Sequence, residues 1–406
     1  ESQNCALTLG KYITLRKPLS KKIRGNYIVC TNCGSDKKCF FMVDFIARNS
    51  DFENLKRENF VQIRKLRQPH FEEVWECFDK PSKLTAIVAI HDTRRGPALG
   101  GIRMYPYPSK KQALEDALRL AKAMTFKAAA FQLKLGGGKA VIMGDPEKEK
   151  TPSLLKAMGR FIDRLKGRYI AAKDSGITVD DLVKVASETE YVAGLPESMG
   201  GSDDPSPWTA LGVLEGIRAC MKEKFGKASL RGRRVVIQGV GHVGFALARL
   251  LHQEGAKLIL SDVNRNLLER AKKAFQAETV SPGEVYDVPA DIFSPCALWG
   301  VINDRTVGRL RPKIVAGGAN NPLADELAHD QLLYEKEILY APDYVINAGG
   351  LINIYVRDIL KRKDPLPMIK KIRDKLLEIF KLSRTMGIPP GQAAEFLTKK
   401  NLASNL

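Results

Sequence analysis

Long apolar runs are missing from this chain: none reaches the ~18 residues a membrane-crossing helix needs, so no transmembrane segment and no membrane partner are expected. Cysteine is sparse, with seven in 406 residues and no dense pairing pattern. That excludes a disulfide framework and points to free thiols in a reducing, cytoplasmic setting. Acidic residues nearly vanish from the first 41 positions, where Glu1 and Asp36 face eight lysines and arginines. The paired ligands that would complete a zinc ribbon are absent as well. Cys30-Thr31-Asn32-Cys33, with Cys39 and Cys5, supplies only one half, and no metal is expected. A basic, acid-poor start reads as a targeting peptide, as translated upstream sequence or as a disordered extension. The last two are preferred, and the segment is given no catalytic role. The net charge of +19 bears on solubility and non-specific association, and does not make a nucleic-acid partner the main role.

The length suffices for two or three domains with real cores. Leu133-Lys134-Leu135-Gly136-Gly137-Gly138-Lys139 leads into the apolar residues 140–143, which read as a strand. Three glycines let another backbone or a ligand approach closely, and such a run taken alone reads as a tight loop. Lys139 at the mouth of an apolar strand loses hydration, which lowers its pKa toward neutrality. Lys127 ends a helical segment opened by Ser109 and Gln112 as a capping box, with Leu114, Ala117, Leu118, Ala121 and Met124 at helical spacing. Asp174 follows the short strand 169–172. Two lysines and an aspartate at the ends of elements are thus placed to converge in one cleft. Residues 84–90 read as a buried strand, Thr151-Pro152 opens a helix, and the glycine-rich stretch 194–207 reads as a seam between domains.

Beyond the seam, residues 209–225 read as a helix and 233–238 as a strand. The strand meets Gly239-Val240-Gly241-His242-Val243-Gly244, which opens another helix, and the next strand, 257–261, ends at Asp262, twenty-three residues after Gly239. Strand, Gly-x-Gly-x-x-Gly, helix, strand and acidic residue form a dinucleotide-binding fingerprint. The glycines permit the tight turn and the helix N-terminus faces a pyrophosphate. Asp262 accepts from the adenosine ribose hydroxyls and repels a 2′-phosphate, favouring NAD over NADP. Arg265, the residue that would welcome that phosphate, reads as a solvated charge. His242 reads as a variable loop position and Cys296 as a small buried thiol. An amphipathic helix near 367–386, with Ile369, Ile372, Leu376, Ile379 and Phe380 on one side, comes toward the end of the chain.

These blocks resemble the glutamate/leucine/phenylalanine/valine dehydrogenase family. The likeness rests on the glycine run with Lys139 before Asp145-Pro146, on Gly96-Pro97-Ala98-Leu99-Gly100-Gly101, on Leu118-Arg119-Leu120-Ala121-Lys122, on Met124-Thr125-Phe126-Lys127 and on Asn347-Ala348-Gly349-Gly350. It spans roughly residues 84–354 and is closest to the leucine dehydrogenases. The resemblance implies an α/β fold of two domains separated by a cleft. Residues 1–41 would be the basic extension, 42–203 a substrate-binding and oligomerisation domain, 204–350 a Rossmann-type NAD-binding domain, and 351–406 helices returning to the first domain. It also implies a homo-oligomer that deaminates an apolar, branched-chain L-amino acid reversibly to the 2-oxo acid and ammonia, with NAD as cofactor.

By the same resemblance Lys127 and backbone near Gly100 hold the substrate carboxylate. Lys139 polarises the oxygen on the reacting carbon and assists water, and Asp174 shuttles the amine proton. Thr209 and Asn320 touch the nicotinamide end, and Asn321 borders the substrate. The side-chain pocket falls on Leu99, Ala172, Leu351 and Ile354, all apolar. A glutamate carboxylate there would be buried without a cation, at a cost of several kcal/mol; family members acting on glutamate place a lysine where Leu99 stands. Leu351 and Ile354 are bulkier than the valines common in branched-chain enzymes, which leans against aromatic substrates. Three departures stand out: Phe131-Gln132 before the glycine run, Lys173 beside Asp174, and Trp299 at a position usually small. Lys173, if turned inward, depresses Asp174 as a base, while Phe131 and Trp299 reshape the pocket. Two alternatives stay open, a specialised aromatic amino-acid dehydrogenase of the same family and a non-catalytic sensor of NAD or amino acid.

Overall fold

Alternating apolar runs pair into two six-stranded sheets within the unit Val61–Leu406, which is separate from the unit Glu1–Phe60. The computed structural model describes residues 61–297 and 299–403, together with the antiparallel strands β1 (Tyr27–Val29) and β2 (Phe40–Met42). The zinc half-pattern at Cys5, Cys30, Cys33 and Cys39 lies outside the described residues, as does the basic extension apart from these two strands.

The first sheet holds β3 (Gln62–Leu66), β4 (Glu73–Asp79), β5 (Leu84–Asp92) and β6 (Ala98–Tyr105). Helix α1 (Lys110–Ala130) separates these from β7 (Gly136–Met143), and α2 (Pro152–Asp163) leads to β8 (Tyr169–Lys173) and α3 (Val179–Ala186). Spatial order is β3-β4-β5-β7-β6-β8, with β6 parallel to both β7 and β8 and the other pairs antiparallel. The helix starts follow side-chain caps. Ser109 accepts from the Gln112 N–H, Thr151 from the Leu154 N–H, and Thr178 with Asp181 forms a full capping box. Ala113, Ala117 and Ala121 of α1 pack on Ile87, Ala89 and Val141, while Leu154, Met158 and Phe161 of α2 fill the opposite face.

The glycine run that reads as a loop is strand. Gly136, Gly137 and Gly138 belong to β7, and none of them needs a positive φ; they are there for space. A Cβ on Gly137 would meet the Thr125 backbone nitrogen at 2.1 Å, one on Gly138 the Tyr169 ring at 2.7 Å, and one on Gly136 the Asp92 carbonyl oxygen at 2.0 Å. Helix α1 therefore lies directly on the strand backbone, and the residue two positions beyond Thr125 is Lys127.

The second sheet is entirely parallel. After α4 (Ser206–Phe225) come β9 (Arg234–Gln238), α5 (His242–Gln253), β10 (Lys257–Ser261), α6 (Arg265–Phe275) and β11 (Glu278–Thr279). Then follow β12 (Ile292–Pro295), β13 (Ile314–Val315), α7 (Glu326–Glu335) and β14 (Leu339–Tyr340). The order β11-β10-β9-β12-β13-β14 is that of a doubly wound dinucleotide fold, with its switch point between β9 and β12. Short helices α8 (Asp343–Ile346) and α9 (Gly349–Ile354) and a π-turn over Tyr355–Ile359 precede α10 (Leu366–Met386) and α11 (Pro390–Ala403). The stripe Ile369, Ile372, Leu376, Ile379 and Phe380 is buried, with Ile372 and Leu376 meeting α4 at Gly212 and Gly216. Helix α11 returns to α1, where the Asn401 side-chain amide donates to the Ala129 carbonyl at 3.1 Å. No helix among the described residues is long and apolar enough to cross a membrane.

The close approach of α1 to β7 predicts that Gly137→Ala destabilises the protein by about 2 kcal/mol or more, since a backbone must move. Gly283→Ala, where a Cβ meets nothing within 4 Å, serves as the control. Thermal unfolding that leaves the two variants equal would contradict this packing.

Candidate active site

Side chains on a strand alternate between faces, and β6 divides accordingly. Leu99 and Gly101 line a cleft of about 730 Å³. Gly100 points the other way, against the Gly138 carbonyl, and its own carbonyl accepts from the Tyr169 hydroxyl at 2.6 Å. Gly101, not Gly100, is the backbone that meets the cleft. The same alternation brings Lys139 into the cleft from inside β7 and Ala172 from β8, with Asp174 just past the end of β8. Helix α1 adds Met124 and Lys127, the latter held by the glycine packing three residues before the helix ends. The other wall brings Thr209 from α4, Gly241, His242 and Val243 from the start of α5, then Cys296, Asn320, Asn347, Leu351 and Ile354.

Charge is concentrated at the floor. Lys139 is 4% exposed and its Nζ donates to Asp174 Oδ2. Burial pushes the Lys139 ammonium below its ordinary range, against the pull of Asp174. Burial also works to raise Asp174, but the adjoining Lys139 and Arg103 cations outweigh it and hold the carboxyl well below the usual range. Lys127 donates to Asn320 Oδ1 at 3.2 Å, and Asn347 donates to the same oxygen at 2.9 Å. Burial brings Lys127 down to about 8, partly offset by the Asp343 carboxylate.

Lys173 lines the cleft but does not bond Asp174. Its ammonium pairs with Asp204 at 2.7 Å, and Asp204 also takes the N–H and hydroxyl of Ser206. The cation that joins Lys139 in depressing Asp174 is Arg103, whose Nε sits 3.0 Å from Asp174 Oδ2. Arg103 does not stand out in the sequence, though its spacing carries a signal. Leu99-x-Gly101-x-Arg103 places it on the face of β6 that lines the cleft. Asp116 on α1, which anchors the guanidinium at 2.9 Å, has no comparable signal because it meets Arg103 only once α1 is docked.

Other expected residues fall outside the cleft. Asn321 turns its amide to Glu326 at 2.9 Å, and its N–H donates to Asp343 at 2.7 Å. Phe131 caps the end of α1. Trp299 is 62% exposed, with the Arg119 guanidinium 5.6 Å from its ring centre. Neither Phe131 nor Trp299 lines the cleft. Burial pushes the Cys296 thiol up, away from the reactive thiolate.

The fingerprint glycines fit a dinucleotide in three distinct ways. Gly239 has φ +95°, and its Cβ would meet the Cys296–Ala297 backbone at 2.9 Å. Gly244 packs α5 onto the strand, its Cβ position lying 1.9 Å from the Gly239 carbonyl. Gly241 has nothing within 4 Å and begins α5 with no side-chain cap, so the first turn presents free N–H groups to the open space. Asp262 stands beside Val240, accepting its N–H at 2.7 Å with one carboxylate oxygen and that of Asn264 at 2.7 Å with the other. His242 is exposed at the cleft rim, and Arg265 starts α6 on the surface.

The geometry predicts a stability trade at Lys127. Its pKa in the fold, about 8, lies below the ~10.4 of an unfolded lysine, so the cost of burying the charge is fully present below pH ~8. As pH rises from there toward ~10.4 the folded protein sheds the proton first and the cost fades. Lys127→Met is therefore expected to be the more stable protein at pH 7, by on the order of 2 kcal/mol, with the gap closing across that window. Unfolding curves at pH 7 and pH 10 showing no gap, or a constant one, would contradict it.

Comparison with known proteins agrees with the fold. The profile described as Glu/Leu/Phe/Val dehydrogenase, dimerisation domain, matches residues 73–192, and that described as Glutamate/Leucine/Phenylalanine/Valine dehydrogenase matches 200–357. Leucine dehydrogenase of Thermoactinomyces intermedius is 49% identical over 82% of this chain and 91% of its own length. Phenylalanine dehydrogenase of Lysinibacillus sphaericus is 45% identical over 82% and 88% respectively. The crystal structure of L-tryptophan dehydrogenase from Nostoc punctiforme superposes with a TM-score of 0.67 at 40% identity, covering 87% of this chain and 98% of that one. With both halves of the cleft matched, this chain belongs to the Glu/Leu/Phe/Val dehydrogenase family.

Proposed function

We propose that this chain catalyses the NAD-dependent, reversible oxidative deamination of a branched-chain L-amino acid to its 2-oxo acid and ammonia. One observation carries the reading: four apolar side chains, Leu99, Ala172, Leu351 and Ile354, share a single cleft with Lys127, Lys139 and Asp174. The cations and the aspartate serve any α-amino acid, whereas the apolar wall selects among them. Burying a matching aliphatic side chain gains ~25 cal/mol per Å², and nothing on that wall offsets the desolvation of a second carboxylate.

In this reading Lys127 takes the substrate carboxylate, which replaces Asn320 as its partner, with the Gly101 backbone alongside. Lys139 acts at the reacting carbon, polarising its oxygen and steering the attacking water; burial lowers its pKa and so eases loss of its proton. Asp174 moves the proton of the amino group. Asn320 and Thr209 border the nicotinamide end, and the Gly241 turn with Asp262 holds the pyrophosphate and adenosine ribose. When bound, the dinucleotide supplies the hydride acceptor. Asp262 favours NAD, because a 2′-phosphate would bring charge against its carboxylate. The division into a substrate domain over 42–203, a cofactor domain over 204–350 and returning helices from 351, and assembly into a homo-oligomer through the first domain, belong to the same proposal.

A second reading, an aromatic substrate, draws support from the likeness to phenylalanine and tryptophan dehydrogenases. Leu351 and Ile354 narrow the cleft against it.

Replacing Leu99 by lysine places a cation in the apolar wall. The ratio of kcat/KM for glutamate over that for leucine is expected to rise at least about tenfold, ~1.4 kcal/mol. A ratio that does not move places the side-chain pocket elsewhere.

A further inference from the structure

The buried guanidinium of Arg103 bridges two carboxylates that belong to different elements. Nε donates to Asp174 Oδ2 at 3.0 Å, and a terminal nitrogen donates to Asp116 Oδ2 at 2.9 Å on α1. The Arg103 side chain is 14% exposed and that of Asp116 12%. Asp116 is itself fixed by the Tyr107 hydroxyl at 2.6 Å and by Arg119. A rigid planar fork suits this task, since a lysine presents one point charge and cannot span both carboxylates. Asp174 Oδ2 therefore receives Lys139 and Arg103 together.

We propose that Arg103 is a positioning residue of the acid/base pair: anchored by Asp116, it fixes the Asp174 carboxylate against Lys139 and favours loss of the proton the pair exchanges with substrate. The proposal rests on the reading of Lys139 and Asp174 given above. Its electrostatic half follows from proximity, because a fixed cation disfavours protonation of either partner. Arg103 lowers both Asp174 and Lys139. Other charged or titratable groups facing the pair are Asp116 and Lys127 on α1, Tyr107 just past β6 and Tyr169 on β8. Lys173, next in sequence, is engaged by Asp204.

The test is the pH profile of kcat/KM for leucine with NAD, measured on the parent, Arg103→Met, Arg103→Lys and Asp116→Asn. Arg103→Met is expected to lower kcat about a hundredfold and to move the limb on which the rate climbs with pH upward by about one unit. Arg103→Lys keeps the charge and loses the fork, so kcat falls about tenfold while the limb stays. Asp116→Asn keeps the guanidinium and loosens its anchor, so kcat again falls about tenfold, while loss of the carboxylate that raises Lys139 moves the limb downward, opposite to Arg103→Met. A uniform loss across pH in Arg103→Met, with no shift, would overturn the electrostatic role. Full kcat in Arg103→Lys would overturn the positioning role, and that arm decides even if Arg103→Met fails to fold. Lys139→Ala and Asp174→Asn run alongside. If they keep turnover, the catalytic reading fails; if they lose it while the Arg103 variants match the parent, only this inference fails.

Discussion

The cleft depends on a backbone-to-backbone contact. Helix α1 can deliver Lys127 beside the strand that carries Lys139 only because Gly137 leaves room for the Thr125 nitrogen. Once the helix is seated, ordinary period-2 geometry turns Lys139, Leu99 and Arg103 to the same side. The cations then stand close together, each largely shielded from solvent, and Asp174, Asp116 and Asp343 keep them there. Such a cluster costs stability, because burial disfavours each charge and the pairing compensates only in part. Lys127 shows the cost most plainly, being buried, bonded to a neutral amide and brought down to about 8. A buried cation bonded only to a neutral amide is suited to bind a carboxylate.

Much of this was legible in the chain. The second half wrote its topology locally: strand, three spaced glycines, helix and an acidic residue at the end of the next strand are adjacent in sequence, and the structure keeps them adjacent. The stripe on α10 and the helix starts at Ser109 and Thr151 were equally local. What misled was the glycine run. Taken alone it suggests a turn, because glycine is usually needed for backbone angles, yet here it is needed for volume, which only the docked helix reveals. Lys139 accordingly sits inside a strand and not at its end. Asn321 and Gly100 adjoin residues that do face the cleft, and one position of alternation or one left-handed residue (Asn321 has φ +50°) is enough to turn a side chain away.

Arg103 shows the complementary failure. Its partners lie on α1 and beyond β8, so no short motif contains them, and a charge in a strand reads first as a solvent-facing position. Lys173 attracted notice because it adjoins Asp174 in sequence, and it lines the same cleft, but its ammonium is taken by Asp204 instead. The pairing that matters to Asp174 runs across strands β6, β7 and β8, where sequence distance carries little information.

Selectivity is where the account is most exposed. Every apolar residue at Leu99, Ala172, Leu351 and Ile354 argues against a charged side chain, and Asp262 argues against a 2′-phosphate. The most direct measurement is the rate of reduced-cofactor formation, followed by absorbance, for each of the twenty amino acids with NAD and with NADP under one set of conditions. The account predicts the highest kcat/KM with NAD and one of leucine, isoleucine or valine, and little or no turnover of glutamate. A preference for glutamate, a preference for NADP, or no reduction with any amino acid would contradict it.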